Sequence, residues 1–540
     1  MSDSRIKVRN LAIVVLVSLG FSLIYVFSVY QTFGEPGLPL DDAWIHLVFA
    51  RNTAHGDLFA YNPHKFIMGT TSPLWVLLMV PAYWLDVRPE AWAYFWGWLF
   101  LALSGVVTYI FARRFMSEKF AVWGAVLVVS AGRLLYGSLS GMEVALATFL
   151  WILSAYLIWR VKTLGKGLFW TVCALAAAVY TRPESYLFAA VCLVYLLFDR
   201  VKSDGTDVFV MKFKYPLIIG IMFSLFVLPY PILCYISHGR LFPTTFYAKR
   251  YASGLNFSEY IIDAIGWFIG DNLIWGLLGL LAIVLSFLGH RFAREANLKV
   301  APTIVFLWPV TFLVAEGATV TAVWHNARYI MPLIPFWILL AFWFAYILFE
   351  RFKLDKSIVI SLGRFGKRTI TLSLIFFLLT FGLNFERAKR FLVGSYLPDI
   401  GGIRDINIAM GEIIKRVVPP NVTVAVNDIG AITYFGEHPI FDLIGIASPE
   451  VLPIVEETGY LGGHIYGERM MDVLKCKPEV GYMAVFPHWF PGMMDDRVFE
   501  PLYHSMGIVV GRTDLSERRI NMQILYKIHR ELLGPCKKAD

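Results

Sequence analysis

Long uncharged hydrophobic runs separated by short polar stretches dominate the chain up to Phe385 and predict a bundle of membrane helices. Residues 11–30 carry no charge and are long enough to cross a hydrocarbon layer of about 30 Å. Runs over 89–111, 120–136, 142–159, 168–180, 186–198, 215–236, 273–288, 301–313, 329–348 and 369–385 follow. Basic clusters fix their direction, because Lys and Arg stay on the cytoplasmic side. Arg5, Lys7 and Arg9 precede the first run, Arg113 and Arg114 end the second, and Arg160, Lys162 and Lys166 end the fourth. With every large basic loop on one face, the pattern predicts about 11 spans, the N-terminus inside and the C-terminus outside.

Residues 73–85 do not fit this alternation and are too short for a span, so they predict a helix lying in the interface. Ser72 would cap it and Pro73 would occupy its first position. DDAWIHLVFARN, residues 41–52, reads as a second surface helix with Ile45, Val48 and Phe49 on its apolar face. Trp44, Trp75 and Trp324 fit an interfacial aromatic belt.

The fold class predicted is an all-α polytopic membrane protein with a small C-terminal α/β domain. Residues 1–385 would form the membrane part, with a first outer loop over 31–88, and residues 386–540 the extracytoplasmic domain. In that tail, TVAVNDIGAITYFGEHPIFDLIGI reads as strand, Asp-Ile-Gly turn, short helix, Gly-Glu-His-Pro turn and strand. No small-residue cleavage site follows the first run, which is read as a retained anchor.

Composition agrees: 57% of the 540 residues are hydrophobic, against about 45–50% in soluble domains. The net charge of +8 is spread over orienting loops, which argues against nucleic-acid binding. Of five cysteines, Cys173, Cys192 and Cys234 fall in or beside hydrophobic runs. Cys476 and Cys536 fall in the outer tail, where the compartment allows a disulfide between them.

The outer face collects the chemistry. Asp41 and Asp42 emerge just after the first span, where nothing in the sequence neutralises them. One could serve as a general base and one as a helix cap; two adjacent acids could also hold a divalent cation. Asp41 precedes the helix and is the preferred base. Arg328 in WHNARYIMP, Lys249 in PTTFYAKR and Arg182 in TRPES converge on the same face and suit a phosphate or pyrophosphate. Glu143 in SGME and Glu184 in TRPES would pair with them or touch substrate, and His325 and Tyr247 complete the candidate binding set. No nucleotide-binding glycine loop, H-E-x-x-H or G-x-S-x-G motif is present, so a soluble nucleotide sugar in a Rossmann-type domain is excluded.

The series LPLDDAWIHLVFARN, GTTSPLW, SGME, TRPES, TTFYAK, NARYIMPLIP and VAVNDIGAITYFGEHPIFDLIGI resembles the GT-C superfamily of polytopic glycosyltransferases. It is most similar to the bacterial branch that includes terminal arabinofuranosyltransferases. The resemblance implies an integral-membrane glycosyltransferase acting on the outer side of the cell membrane. Its donor would be a polyprenyl-phosphate sugar and its acceptor a glycan, lipid or protein. Transfer would be an inverting displacement with Asp41 or Asp42 as base, and Arg328 and Lys249 would stabilise the leaving phosphate. Some relatives need a divalent cation such as Mg or Mn and others do not, so metal dependence stays open. Trp44-Ile45-His46 departs from the arabinofuranosyl pattern and leaves the donor sugar open. The competing readings are a transporter or flippase of lipid-linked glycans and a non-catalytic glycan-binding assembly protein.

Overall fold

The computed structural model describes residues 7–203, 206–250, 256–295, 298–319, 326–355, 357–361, 367–459, 463–491, 493–495, 497–510 and 518–536. Five helices are long and apolar enough to cross a membrane: Val8–Phe33, Pro89–Ala112, Val144–Leu164, Lys214–His238 and Met331–Arg351. Two bent pairs raise this to seven if each is one span: Glu118–Val129 with Gly132–Ser138, bent by 54°, and Leu273–Val284 with Leu288–Glu295, bent by 88°. Shorter apolar helices, Leu168–Val179, Ser185–Leu197 and Thr303–Thr319, occupy three further runs that the sequence marks as spans. A fourth, Pro73–Trp84, matches the expected interfacial helix in extent. The Ser72 hydroxyl does not cap it, and donates instead to the Thr181 carbonyl at 2.7 Å.

The Asp41–Ala54 helix departs from expectation. It does not lie on a surface with one apolar face, because every residue from Ala43 to Ala50 is buried. The Pro73–Trp84 and Gly430–Gly436 helices pack against it and cover the faces a lipid surface would otherwise meet. Trp44 is therefore a core residue and not a belt residue, its ring 4.9 Å from both Tyr434 and Phe435. Trp75 is also fully buried and donates its indole N–H to Gly141 O at 2.8 Å. Trp324 lies outside the described residues.

Helix continues unbroken from Leu372 to Val417, through the α-helical segments Leu372–Phe391, Leu397–Gly402 and Ala409–Val417 and two π-helical stretches, Leu392–Tyr396 and Ile403–Ile408. Pro398 has no N–H to give the carbonyl one turn back, and a wider hydrogen-bond spacing next to it accommodates that loss. This run leads from the membrane bundle directly into the C-terminal sheet.

Two basic stretches expected as loops contain antiparallel hairpins: β1 (Phe198–Ser203) with β2 (Thr206–Met211), and β3 (Ser357–Ser361) with β4 (Lys367–Thr371). The C-terminal sheet holds β5 (Thr423–Val426), β6 (Ile440–Asp442), β7 (Val480–Val485), β8 (Phe499–Val510) and β9 (Arg518–Ile528) in the order β6-β5-β7-β9-β8. β5 runs parallel to β6 and β7, while β9 is antiparallel to β7 and β8. The stretch from Thr423 folds as β5, the Gly430–Gly436 helix and β6.

One side of this sheet shares the apolar core of the helix bundle, through Ile429, Ala431, Ile432 and Ile444. A second core, built on Met470, Leu474, Met483 and Phe490, lies around the helices that follow β6. A Cys476–Cys536 disulfide ties the end of the Gly463–Lys475 helix to the segment after β9.

Candidate active site

A cavity of about 360 Å³ opens between the Asp41–Ala54 helix, the turns before Val144–Leu164 and Ser185–Leu197, the Thr244–Arg250 helix and the Thr303–Thr319 helix. Six of the residues singled out in the sequence line it: Asp42, Glu143, Arg182, Glu184, Lys249 and Arg328. They come from five separate motifs spread over nearly three hundred positions, and the fold places them on one wall system.

The local backbone explains how each is aimed. Asp42 sits in the first turn of its helix, and His46 follows one turn later on the same face. Thr245 donates to Gly69 O and Thr244 to Ile446 O, which pins the Thr244–Arg250 helix to the GTTSP loop and to the segment after β6 and holds Lys249 beside Asp42. Arg328 follows two residues in left-handed backbone, Asn326 at φ 58° and Ala327 at φ 59°. Ala327 has no side-chain reason to adopt this geometry. The Asn326 carbonyl is gripped by Arg133 Nη1 at 2.5 Å, and Arg133 is itself buried and paired with Asp271.

Asp42 Oδ2 lies 3.0 Å from Lys249 Nζ and 2.5 Å from Arg328 Nη2. Glu143 faces Arg182, with Oε1 3.9 Å from Nη1, and His46, with Oε2 3.5 Å from Nε2. Arg182 also pairs with Glu184 at 3.1 Å. The ring of Tyr329 lies beside both guanidiniums, 4.9 Å from that of Arg182 and 5.3 Å from that of Arg328. Burial alone would push the Glu143 carboxyl up, but His46, Arg182 and Arg328 outweigh it and hold it at about 2. Glu143 is therefore an anion at any ordinary pH.

Two donors stand out. Arg182 Nη1 and Arg328 Nη1 are both buried and make no hydrogen bond among the described residues. A buried guanidinium N–H left unpaired is costly. Both belong to side chains that line the cavity, and Arg182 Nη1 has the Glu143 carboxylate near it at 3.9 Å, beyond hydrogen-bond reach.

The remaining candidates lie elsewhere. Asp41 does not line the cavity: its Oδ2 accepts from Gly430 N at 2.8 Å and its Oδ1 from Ala431 N at 2.8 Å, at the start of the Gly430–Gly436 helix. Burial and the neighbouring Asp428 push its carboxyl up, against the pull of those two N–H groups. Tyr247 also does not line the cavity, and its ring carries the Arg240 guanidinium at 4.8 Å. His325 lies outside the described residues. The cavity also takes in His46 and Glu316, polar residues of the outer face to which the sequence assigned no role, and Tyr329. His46 was legible from its one-turn spacing after Asp42, and Tyr329 from its place beside Arg328. Glu316 had only its charge near the end of a hydrophobic run as a signal.

The donor set does not suit a resident metal ion. Asp42 and Glu143 already face Lys249, Arg328 and Arg182, and a divalent cation would have to displace those charges. Among the described residues no group of three or more His, Cys, Asp or Glu side chains is placed to hold a metal.

Comparison with known proteins adds the following. A domain of unknown function, DUF8728, matches residues 400–519. No protein of curated function matches in sequence. The archaeal oligosaccharyltransferase AglB from Archaeoglobus fulgidus, solved with an inhibitory peptide and a dolichol-phosphate, is similar in structure with a TM-score of 0.59 at 13% identity. That match covers 88% of this chain and 69% of the other. ArnT from Cupriavidus metallidurans, bound to undecaprenyl phosphate, gives 0.57 at 12% identity over 97% of this chain and 99% of its own. The mycobacterial arabinofuranosyltransferase AftD gives 0.48 at 12% identity, over 96% of this chain and 40% of its own. AglB and ArnT align along nearly the whole course of this chain, through both the helix bundle and the C-terminal sheet, and the chain has the fold of the GT-C glycosyltransferases.

Proposed function

We propose that this protein is an integral-membrane glycosyltransferase that moves a sugar from a polyprenyl-phosphate carrier to a hydroxyl-bearing acceptor on the outer side of the membrane. The observation that carries this is the pair of buried, unbonded donors, Arg182 Nη1 and Arg328 Nη1, lining the same cavity as Asp42. They suit an anionic group, and with Lys249 they give a phosphate three cations on different sides. ArnT was solved with undecaprenyl phosphate and AglB with dolichol-phosphate, which favours a lipid-borne phosphate as the occupant.

In this reading Asp42, and not Asp41, is the base. Asp42 lines the cavity, whereas both oxygens of Asp41 are taken up by the Gly430–Gly436 helix. Before donor binds, Lys249 and Arg328 both rest on Asp42. A donor phosphate competes for the same two cations and leaves the Asp42 carboxylate with basicity to spare. The acceptor hydroxyl then gives its proton to Asp42, and its oxygen attacks the anomeric carbon. The bond from that carbon to the phosphate oxygen breaks, and polyprenyl phosphate departs with the electron pair. Lys249, Arg182 and Arg328 stabilise the charge that grows on the leaving phosphate, where fixed electrostatics help most. Attack opposite the leaving group inverts the configuration.

We place residues 1–385 in the membrane-embedded catalytic part and residues 386–540 in an extracytoplasmic part that closes over it, with about 11 crossings in all when the three shorter apolar helices, by local thinning of the bilayer, and the Leu372–Phe391 helix also span. The test is a transfer assay on purified protein in nanodiscs with a panel of polyprenyl-phosphate sugars. Release of polyprenyl phosphate from one donor, lost in Asp42→Asn and retained in Asp41→Asn, supports the reading. Absence of turnover with every donor, together with transbilayer movement of any of them, replaces it with a carrier.

A further inference from the structure

The cavity holds one carboxyl side chain that makes no ion pair among the described residues and that the transfer chemistry does not use. Glu316 lines it from the Thr303–Thr319 helix and is only 7% exposed. Among the described residues it makes no hydrogen bond and no ion pair. The other three carboxyls of the cavity face cationic groups: Asp42 faces Lys249 and Arg328, Glu143 faces His46 and, at 3.9 Å, Arg182, and Glu184 faces Arg182. Glu316 is the carboxyl left over, in a cavity about to receive a phosphate.

A buried carboxyl without a partner costs several kcal/mol, on the order of a lost charged hydrogen bond or more. Such a group persists where something completes it. The carrier's prenyl chain cannot do so, because hydrocarbon seated against Glu316 would strip its water and return nothing. In the reading above the phosphate is already met by Lys249, Arg182 and Arg328. What fits is a group that donates hydrogen bonds.

A second unsatisfied group stands beside it. Tyr260 is 2% exposed and its hydroxyl has no hydrogen-bond partner among the described residues. Its ring packs on Gly317, the residue next to Glu316: a Cβ built there would lie 3.0 Å from Tyr260 Cδ1 and 3.1 Å from Phe257 Cδ2. Glycine at 317 is what lets the ring come this close. Near Glu316 the cavity wall also includes Phe312, on the same face of the Thr303–Thr319 helix one turn earlier, offering an aromatic surface for the apolar side of a pyranose or furanose ring.

We propose that Glu316 is the specificity-determining residue for the transferred sugar, accepting hydrogen bonds from its hydroxyl groups while Lys249, Arg182 and Arg328 hold the phosphate. This rests on the glycosyltransferase reading above and adds to it the part of the cavity that reads the sugar. Discrimination against a sugar lacking the matching hydroxyl is then large, because the missing group leaves a buried carboxyl unpaired.

The test uses the full-length protein in nanodiscs and two readouts. The first is binding of bare undecaprenyl phosphate against undecaprenyl phosphate carrying the cognate sugar. Wild type binds the sugar-bearing carrier more tightly, by about 10-fold or more. Glu316→Leu erases that difference and leaves bare-carrier affinity unchanged, while Glu316→Gln keeps part of it. The second is transfer from the cognate donor against its single-deoxy analogues. Wild type rejects one analogue strongly, and Glu316→Leu lowers kcat/KM for the cognate donor to the level of that analogue. If Glu316→Leu weakens bare and sugar-bearing carriers alike, or keeps the wild-type preference among the deoxy donors, the proposal is overturned. Sugar-dependent binding without any transfer would sink the enzymatic reading and keep the sugar subsite, so the two failures are separable.

Discussion

The carboxylates of Asp41 and Asp42 are neighbours in the chain and serve opposite halves of the molecule. Asp41 binds the backbone N–H groups of Gly430 and Ala431, in the segment after β5, and Asp42 binds Lys249 and Arg328 in the cavity. Successive residues in the first turn of a helix point about 100° apart. One helix start therefore fastens the C-terminal sheet to the bundle and presents a carboxylate to the site.

The two acids should separate under mutation. Asp42→Asn is expected to reduce transfer by 10³-fold or more, on the order of a missing general base together with lost cation positioning. Asp41→Asn keeps one acceptor for the two N–H groups and should retain most activity. Asp41→Ala removes both acceptors and should cost about 1–2 kcal/mol of stability, as for other lost helix caps. Thermal unfolding and transfer rate, measured on the same preparations, check both halves. Equal loss of activity in Asp41→Asn and Asp42→Asn would contradict the division of labour.

Gly430 is the counterpart of that arrangement. A Cβ built on it would lie 2.1 Å from the Asp41 carbonyl oxygen and 2.7 Å from Asp41 Oδ2, so the two segments meet only because position 430 has no side chain. Gly430→Ala must push the Gly430–Gly436 helix off the Asp41–Ala54 helix. The expected result is a loss of about 1–3 kcal/mol, by analogy with overpacked cores. It should appear as earlier unfolding and as new protease cleavage between the helix bundle and the sheet. A melting curve like wild type's would mean that the contact is looser than the structure draws it.

How much of this was visible in the sequence divides along physical lines. Hydrophobic runs marked most helices, since a span must be apolar over its length, and the motifs TRPES, SGME, TTFYAK and NARY carried the cavity residues. The alternation β5, short helix, β6 was legible from strand runs and turn residues. The burial of Asp41–Ala54 was not: an apolar face predicts that something covers it, and the sequence does not say whether lipid or protein does. Trp44 was misplaced for the same reason, because Tyr434 and Phe435, which cover it, lie almost four hundred residues away. The roles of Asp41 and Asp42 were undecidable locally, since adjacent acids look alike until their partners are known.

Arg328 should be intolerant of lysine. Its guanidinium meets Asp42 through Nη2 and has a second, buried nitrogen, Nη1, without a hydrogen bond among the described residues, a two-ended geometry that an ammonium cannot copy. Arg328→Lys is expected to weaken binding of bare undecaprenyl phosphate by about 10-fold or more, near 1.4 kcal/mol. Arg328→Ala additionally leaves Asp42 with Lys249 alone and should destabilise by about 1.5–3 kcal/mol. Titration of the bare carrier by fluorescence or calorimetry, with a melt for each variant, distinguishes the two effects. Lysine binding the carrier as well as arginine does would remove Arg328 from the phosphate site.

Ala327 offers a test of stored backbone strain. At φ 59° it is held in a conformation costing a non-glycine residue about 1–2 kcal/mol. Ala327→Gly relieves that cost and should raise or preserve thermal stability. Ala327→Val, with a branched side chain in the same conformation, should lower stability and displace Arg328. The informative comparison is activity: glycine keeps stability but loosens the aim of Arg328, so carrier affinity falls while the melt does not. A valine variant as stable as wild type would show that the segment adopts another backbone conformation.

The Glu143 carboxyl gives a pH signature with a definite sign. Its ordinary value is 4.5 and the folded protein holds it at about 2, so the ionised form is favoured by folding. That contribution is complete above about pH 4.5 and is lost as pH falls toward 2. Thermal stability should therefore be flat with respect to this group from pH 5 to 8 and decline below. Glu143→Gln should lower stability at pH 7, because Arg182 loses a counter-charge beside its unbonded Nη1. The same variant should show a shallower decline between pH 5 and 3 than wild type, since one of the protonating groups is gone. Parallel pH curves for the two proteins would mean that Glu143 is not the anion that holds Arg182 in place.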